Sequence, residues 1–186
     1  FSKEGDIGKS NYYLGLNKFF TNGISSMNDN SEKDKYRNDG LVANFSYKLY
    51  NNFKIENYLR YVDSFLEYDE VQSGRLDINN TDDQEGSYSL RLIRDDGKLK
   101  NTLSYNNTYF RRSTSDWTSS KDLYVGYRDA FNLLGEYNFS LDTKIVYGLD
   151  NEFDKADFTT WAVSGNQVND EAIYSQYVDL QYRPTE

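Results

Sequence analysis

Apolar side chains at every second position, over stretches of about ten residues repeated along most of the chain, constrain this sequence more than any other feature. In 41–49 one side reads Leu41, Ala43, Phe45, Tyr47 and Leu49, and the other Val42, Asn44, Ser46 and Lys48. In 53–61, Phe53, Ile55, Leu59 and Tyr61 oppose Lys54, Glu56, Tyr58 and Arg60, with Asn57 interrupting the apolar side. The alternation continues through 88–92, 99–109, 123–139, 145–153 and 174–182, and a less regular stretch near 9–20 precedes them. A period of two puts alternate residues on opposite faces of a strand, so the pattern predicts an all-β chain of about eight strands, each with one apolar face.

The connections predict how those strands are joined. Asn51-Asn52, Asp95-Asp96-Gly97 and the segment 138–142 have the chemistry of tight hairpin turns. Between them lie polar stretches near 21–37, 67–84, 112–121 and 154–171, which read as long loops. Short turns alternating with long loops suggest antiparallel up-and-down strands from a transmembrane β-barrel, with turns and loops on opposite sides and Tyr and Phe near the strand ends. A secreted β-sandwich also alternates, but its strands are usually shorter, about 5–6 residues. Eight strands could close a small barrel. The first residues lack Met and a leader, and the last stop where a turn should begin, so both ends read as cuts and a larger barrel is expected.

Composition narrows the function classes. Among 186 residues, 37% are hydrophobic, yet 18 Tyr and 11 Phe argue against a disordered chain. There is no Cys and no His, which removes disulfides, thiolate or imidazole metal ligands and the usual general base. The reading is therefore not an enzyme. A net charge of -9 opposes nucleic-acid binding, which needs a basic stripe. No apolar run reaches the roughly 18 residues of a spanning helix, but a spanning strand needs only about 10 residues with every second one apolar.

Three stretches resemble the TonB-dependent outer-membrane receptors, and within them the cobalamin transporter branch. The first runs from Thr21-Asn22-Gly23 through Glu32-Lys33-Asp34-Lys35-Tyr36-Arg37-Asn38 into the strand at 40–50. The second is Tyr61-Val62-Asp63-Ser64 through Glu67-Tyr68-Asp69, and the third Ala172-Ile173-Tyr174 through Gln181-Tyr182-Arg183-Pro184. Their order and spacing carry the resemblance over nearly the whole chain. It implies a 22-stranded barrel with an N-terminal plug, powered by TonB, that imports a scarce nutrient, cobalamin or of the siderophore class, across the outer membrane of a Gram-negative bacterium. Residues 1–186 would be a section of that wall, without plug or TonB box.

The resemblance further implies calcium in two neighbouring loops. Glu32 and Asp34 match the first loop's acidic pair, with Glu replacing Asp, and Tyr68 and Asp69 match the second. Asp77 or Asp82 would supply a later ligand, while Asn22 and Asn28-Asp29-Asn30 depart from the family's acidic pattern. Calcium takes six to eight oxygens and tolerates irregular loops. The residues themselves favour solvated loop acids over a calcium site. Asp77, Asp82, Asp83 and Glu85 likewise read as solvated rather than as a catalytic carboxylate pair. Arg111-Arg112 could meet an anionic ligand or a lipid headgroup, and Trp117 and Trp161, each in a long loop, could stack on a ligand or mark an interface. Gly126 and Gly148 suggest twist or close approach within strands.

Overall fold

A computed structural model describes residues 1–23, 33–72, 75–116, 121–160 and 166–183, leaving out the side chains of 69–78 and 166. Nine strands follow one another: β1 (Ser2–Ile7), β2 (Ser10–Thr21), β3 (Tyr36–Tyr50), β4 (Phe53–Gln72), β5 (Arg75–Asp95), β6 (Leu99–Ser115), β7 (Lys121–Asn138), β8 (Thr143–Thr159) and β9 (Asn166–Tyr182). They form one antiparallel sheet in chain order, with β1 and β9 at its edges. The sheet is not closed among the described residues, and no helix occurs among them.

The three tight turns stand where the sequence placed them. At 96–98 the chain reverses through Gly97, whose φ of 84° suits only a residue without Cβ. The Asp96 carboxylate accepts hydrogen bonds from the Leu99 N–H at 2.7 Å and the Lys98 N–H at 3.2 Å. The bond from Leu99, aided by Arg94, holds that carboxyl below its usual value. A depressed carboxyl stabilises the turn above its unfolded-state pKa, and that contribution fades as pH falls.

Of the stretches expected as long loops, 67–84, 112–121 and 154–171 carry strand over much of their length, whereas 22–23 and 33–35 do not, and β1 adds a strand to the expected set. Pairing of β4 with β5 continues to Gln72↔Arg75, so most of 67–84 is a two-stranded hairpin. Pairing of β6 with β7 begins at Ser115↔Lys121, and that of β8 with β9 at Thr159↔Asn166. Beyond Tyr61 and Tyr109 apolar residues such as Phe65, Leu66 and Phe110 fall on both faces among charged ones, so the alternation stops while the ladder does not. Cross-strand ion pairs take over, including Arg37 Nη2 to Asp63 Oδ1 at 2.6 Å.

Register gathers the alternating residues onto two faces. One row of the apolar face runs Ile55, Leu92, Leu103, Leu133 and Leu149 across five strands. A row nearer the long connections runs Tyr61, Gly86, Tyr109 and Tyr127, with the last two rings 5.2 Å apart. Near the short turns a second aromatic set appears, Tyr137 against Phe139 at 4.9 Å, with Lys98 over Tyr137 and Arg94 over Phe53. No hydrophobic side chain is buried among the described residues, and Leu103 is 52% exposed. The sheet is a single layer without a core of its own.

Two further features shape the sheet. The hydrogen-bonded row through Lys48 continues as Lys54, Ile93, Thr102, Leu134, Gly148 and Tyr177. Along it the short turns shift steadily, from Lys9 beside Lys48 to 139–142 well beyond Leu134, a drift of about one residue per strand. Glycines face tyrosine rings on neighbouring strands: Gly135 lies under Tyr147, and Gly148 under Tyr177. The close approach expected at Gly148 is thus present, the ring covering backbone that glycine leaves bare.

Candidate functional site

The polar face carries a dense set of cross-strand bonds between charged and amide side chains. Arg112 grips Asp83 with two bonds, Nε to Oδ1 at 2.8 Å and Nη2 to Oδ2 at 2.9 Å. Arg128 grips Asp154 in the same way, at 2.7 and 2.6 Å, and also reaches Glu152 at 3.2 Å. Arg60 pairs with Glu85 at 3.1 Å, and Glu56 accepts from both Lys54 and Arg91. A stepped line of amides and acids links five strands, Ser89 to Asn106, Asn132, Asp150 and Ser175. Bidentate Arg–carboxylate pairs fix the relative orientation of both partners.

Those pairs place two groups that the sequence singles out. Asp83 and Glu85 are engaged by Arg112 and Arg60, and Asp82 stands on the other face, opposite Phe65. Arg111 and Arg112 divide between the faces: Arg111 pairs in register with Gln84 just beyond the Tyr109 row, and Arg112 turns to Asp83. The bond from Asp83 raises the Arg112 pKa further, fixing its charge.

The loop-end residues are partly brought together. Tyr36 pairs with Leu66, and the Glu67 N–H donates to the Lys35 carbonyl at 2.9 Å, so Asp34 arrives beside the part of β4 that carries Tyr68. Tyr68 pairs with Asn79, which is 2% exposed, while Asp69 pairs with Ile78 and Asp77 with Glu70. The backbones of the two connections that the resemblance pairs are therefore neighbours. Asp82 is offset, three residues farther down β5 than Asn79 and on the opposite face from Tyr68. Glu32, Trp117 and Trp161 lie outside the described residues, as do the side chains of Asp69 and Asp77. Among the described residues no group of three or more acidic side chains is placed to hold a metal.

On the apolar face the polar atoms are mostly partnered. The Tyr88 hydroxyl donates to Asn57 at 3.1 Å, and the Tyr147 hydroxyl to Asn101 at 2.6 Å. Asp129 accepts from the Tyr105 hydroxyl at 2.6 Å and from the Asn107 amide at 2.9 Å. Sequence reading saw Asn57 as a break in the pattern and missed its partner, because the tyrosine that satisfies it lies 31 residues away on the next strand. No protein-family model matches the chain, and no curated protein matches it.

Proposed function

We propose that this chain is part of the wall of an outer-membrane β-barrel of the TonB-dependent receptor type. The observation that carries the reading is the apolar face, which meets nothing within the sheet. Its apolar stretches run from Phe53 to Tyr61 in β4, Leu99 to Tyr109 in β6 and Ile145 to Phe153 in β8. On strands tilted by about 35–45°, as in membrane barrels, these would rise about 19–28 Å, close to the 25 Å band of a barrel in lipid. Aromatic rings at both limits of the band fit the two membrane interfaces. Tyrosine hydroxyls that occupy Asn57, Asn101 and Asp129 fit a setting without water to satisfy them. The polar face would line the interior, and the hairpins beyond the Tyr61 row would stand outside the cell.

By the resemblance, the imported nutrient is cobalamin, calcium orders the connections around Asp34 and Tyr68, and TonB acts through a plug segment. Uptake of radiolabelled cobalamin at limiting concentration tests this. Deleting the full chain should abolish uptake, and chelating external calcium should reduce it in the wild type. The Asp34→Ala/Asp69→Ala variant should be low already and indifferent to the chelator. Unchanged uptake in the deletion strain would refute the nutrient, and equal chelator sensitivity in the variant would refute the calcium site.

A further inference from the structure

On the polar face, in the half of β6–β9 nearer the long connections, a cavity of about 300 Å³ opens to solvent. Its floor comes from one hydrogen-bonded row, in which Phe110 pairs with Gly126 and Gly126 with Ala156. The two small residues leave the space. Phe110 and Tyr124 wall one side, their rings 5.7 Å apart and tilted by 57°. The Tyr124 ring leans over Gly126, where an added Cβ would meet its Cε1 at 3.5 Å. The next row toward the short turns, Arg128, Asp154 and Glu171, forms the facing wall.

Charge decides what such a cavity attracts. Arg128 is gripped by Asp154, touches Glu152 at 3.2 Å and lies in the field of Glu171, so one cation meets three carboxylates. Arg112 beyond the other wall is held by Asp83, with its guanidinium 5.3 Å from the Phe110 ring centre. Phe110 thus already accepts a cation on its face. An anion entering here would find both guanidiniums neutralised and carboxylates in surplus, since the backbone of Lys155 borders the cavity but its register with Tyr127 turns its side chain to the other face, 3.9 Å from Asp157. A hard metal ion would have to displace Arg128, which already takes both Asp154 oxygens and reaches Glu152. A cation with an apolar shell would find ring faces on one side and acids on the other, the combination that recognises alkylated ammonium groups.

We propose that this cavity binds an organic cation, its ammonium head resting on Gly126 and Ala156 between the Phe110–Tyr124 rings and the carboxylates of Asp154 and Glu171. The site requires only that the polar face meet water, so it stands apart from nutrient import. The chain's charge of -9 would favour approach of such a ligand.

The test uses the full chain folded in a non-ionic detergent, with folding verified separately by far-ultraviolet circular dichroism and heat-shifted electrophoretic mobility. Calorimetric titration compares choline with its uncharged isostere 3,3-dimethylbutan-1-ol. Choline should bind at least about tenfold tighter than the isostere, and more weakly as salt is raised. Tyr124→Ala should weaken choline about tenfold, Tyr124→Phe should retain it, and Gly126→Val should block it by filling the floor. Equal affinity for the isostere, undiminished binding in Tyr124→Ala and Gly126→Val, or no choline heat from the folded wild type would each overturn the site. None of these outcomes bears on whether cobalamin is imported.

Discussion

Leu103→Arg is expected to cost about 2–4 kcal/mol of folding stability in lipid vesicles, the penalty for a cation near the middle of a barrel's lipid face. Leu103 sits between Leu92 and Leu133 in the central apolar row and is 52% exposed. In water an arginine at a half-exposed site would change stability by no more than about 0.5 kcal/mol. The neighbouring Thr102 supplies the control, since its pairing with Ile93 and Leu134 puts it on the other face. Thr102→Arg should leave stability within about 0.5 kcal/mol. Urea titrations of both variants in phosphatidylcholine vesicles, followed by intrinsic fluorescence, measure the difference. Equal, small effects would mean that lipid does not cover Leu103.

The second large effect lies at Gly135. A Cβ there would fall within the Tyr147 ring, whose hydroxyl donates to Asn101 at 2.6 Å. Gly135→Ala must therefore move the ring and loosen that bond. Crowding of this kind costs about 1–3 kcal/mol and the hydrogen bond adds about 1 kcal/mol. Gly126→Ala, where the new atom makes only an ordinary contact, should be neutral or slightly stabilising. The double variant Gly135→Ala/Tyr147→Ala should be clearly less destabilised than the two single changes added together, because removing the ring removes the clash. Strict additivity in the same urea titrations would show that the ring does not depend on Gly135.

These experiments follow the line between what the sequence declared and what it concealed. Wherever one face is apolar and the other polar, as in 41–49, 53–61 and 99–109, the alternation located strands and turns correctly. Beyond Tyr61 and Tyr109 the alternation is lost, so 67–84 and 112–121 read as loop although most of their described backbone still pairs. The bonds that hold it there, Arg37 to Asp63 and Arg112 to Asp83, join residues 26 and 29 positions apart. Sequence proximity cannot reveal them. The candidate calcium residues divide in the same way. Asp34 lies beside the part of β4 that carries Tyr68, whereas strand pairing sets Asp82 three residues from Tyr68's partner Asn79 and on the other face. The Phe110–Tyr124 cavity was invisible beforehand, because its floor residues, Gly126 and Ala156, carry no chemical signal until register sets them side by side.

The central claim is that one face of this sheet meets lipid and the other water. Single nitroxide labels placed along β6 from Leu99 to Tyr109, in the full chain folded into vesicles, test it most directly. Collision with oxygen should peak at the odd positions and be greatest near Leu103. Collision with a water-soluble nickel chelate should peak at Lys100, Thr102, Ser104, Asn106 and Thr108. That two-residue alternation, in opposite phase for the two reagents, is the expected result. Ready access of the nickel chelate to both sets of positions would contradict the account.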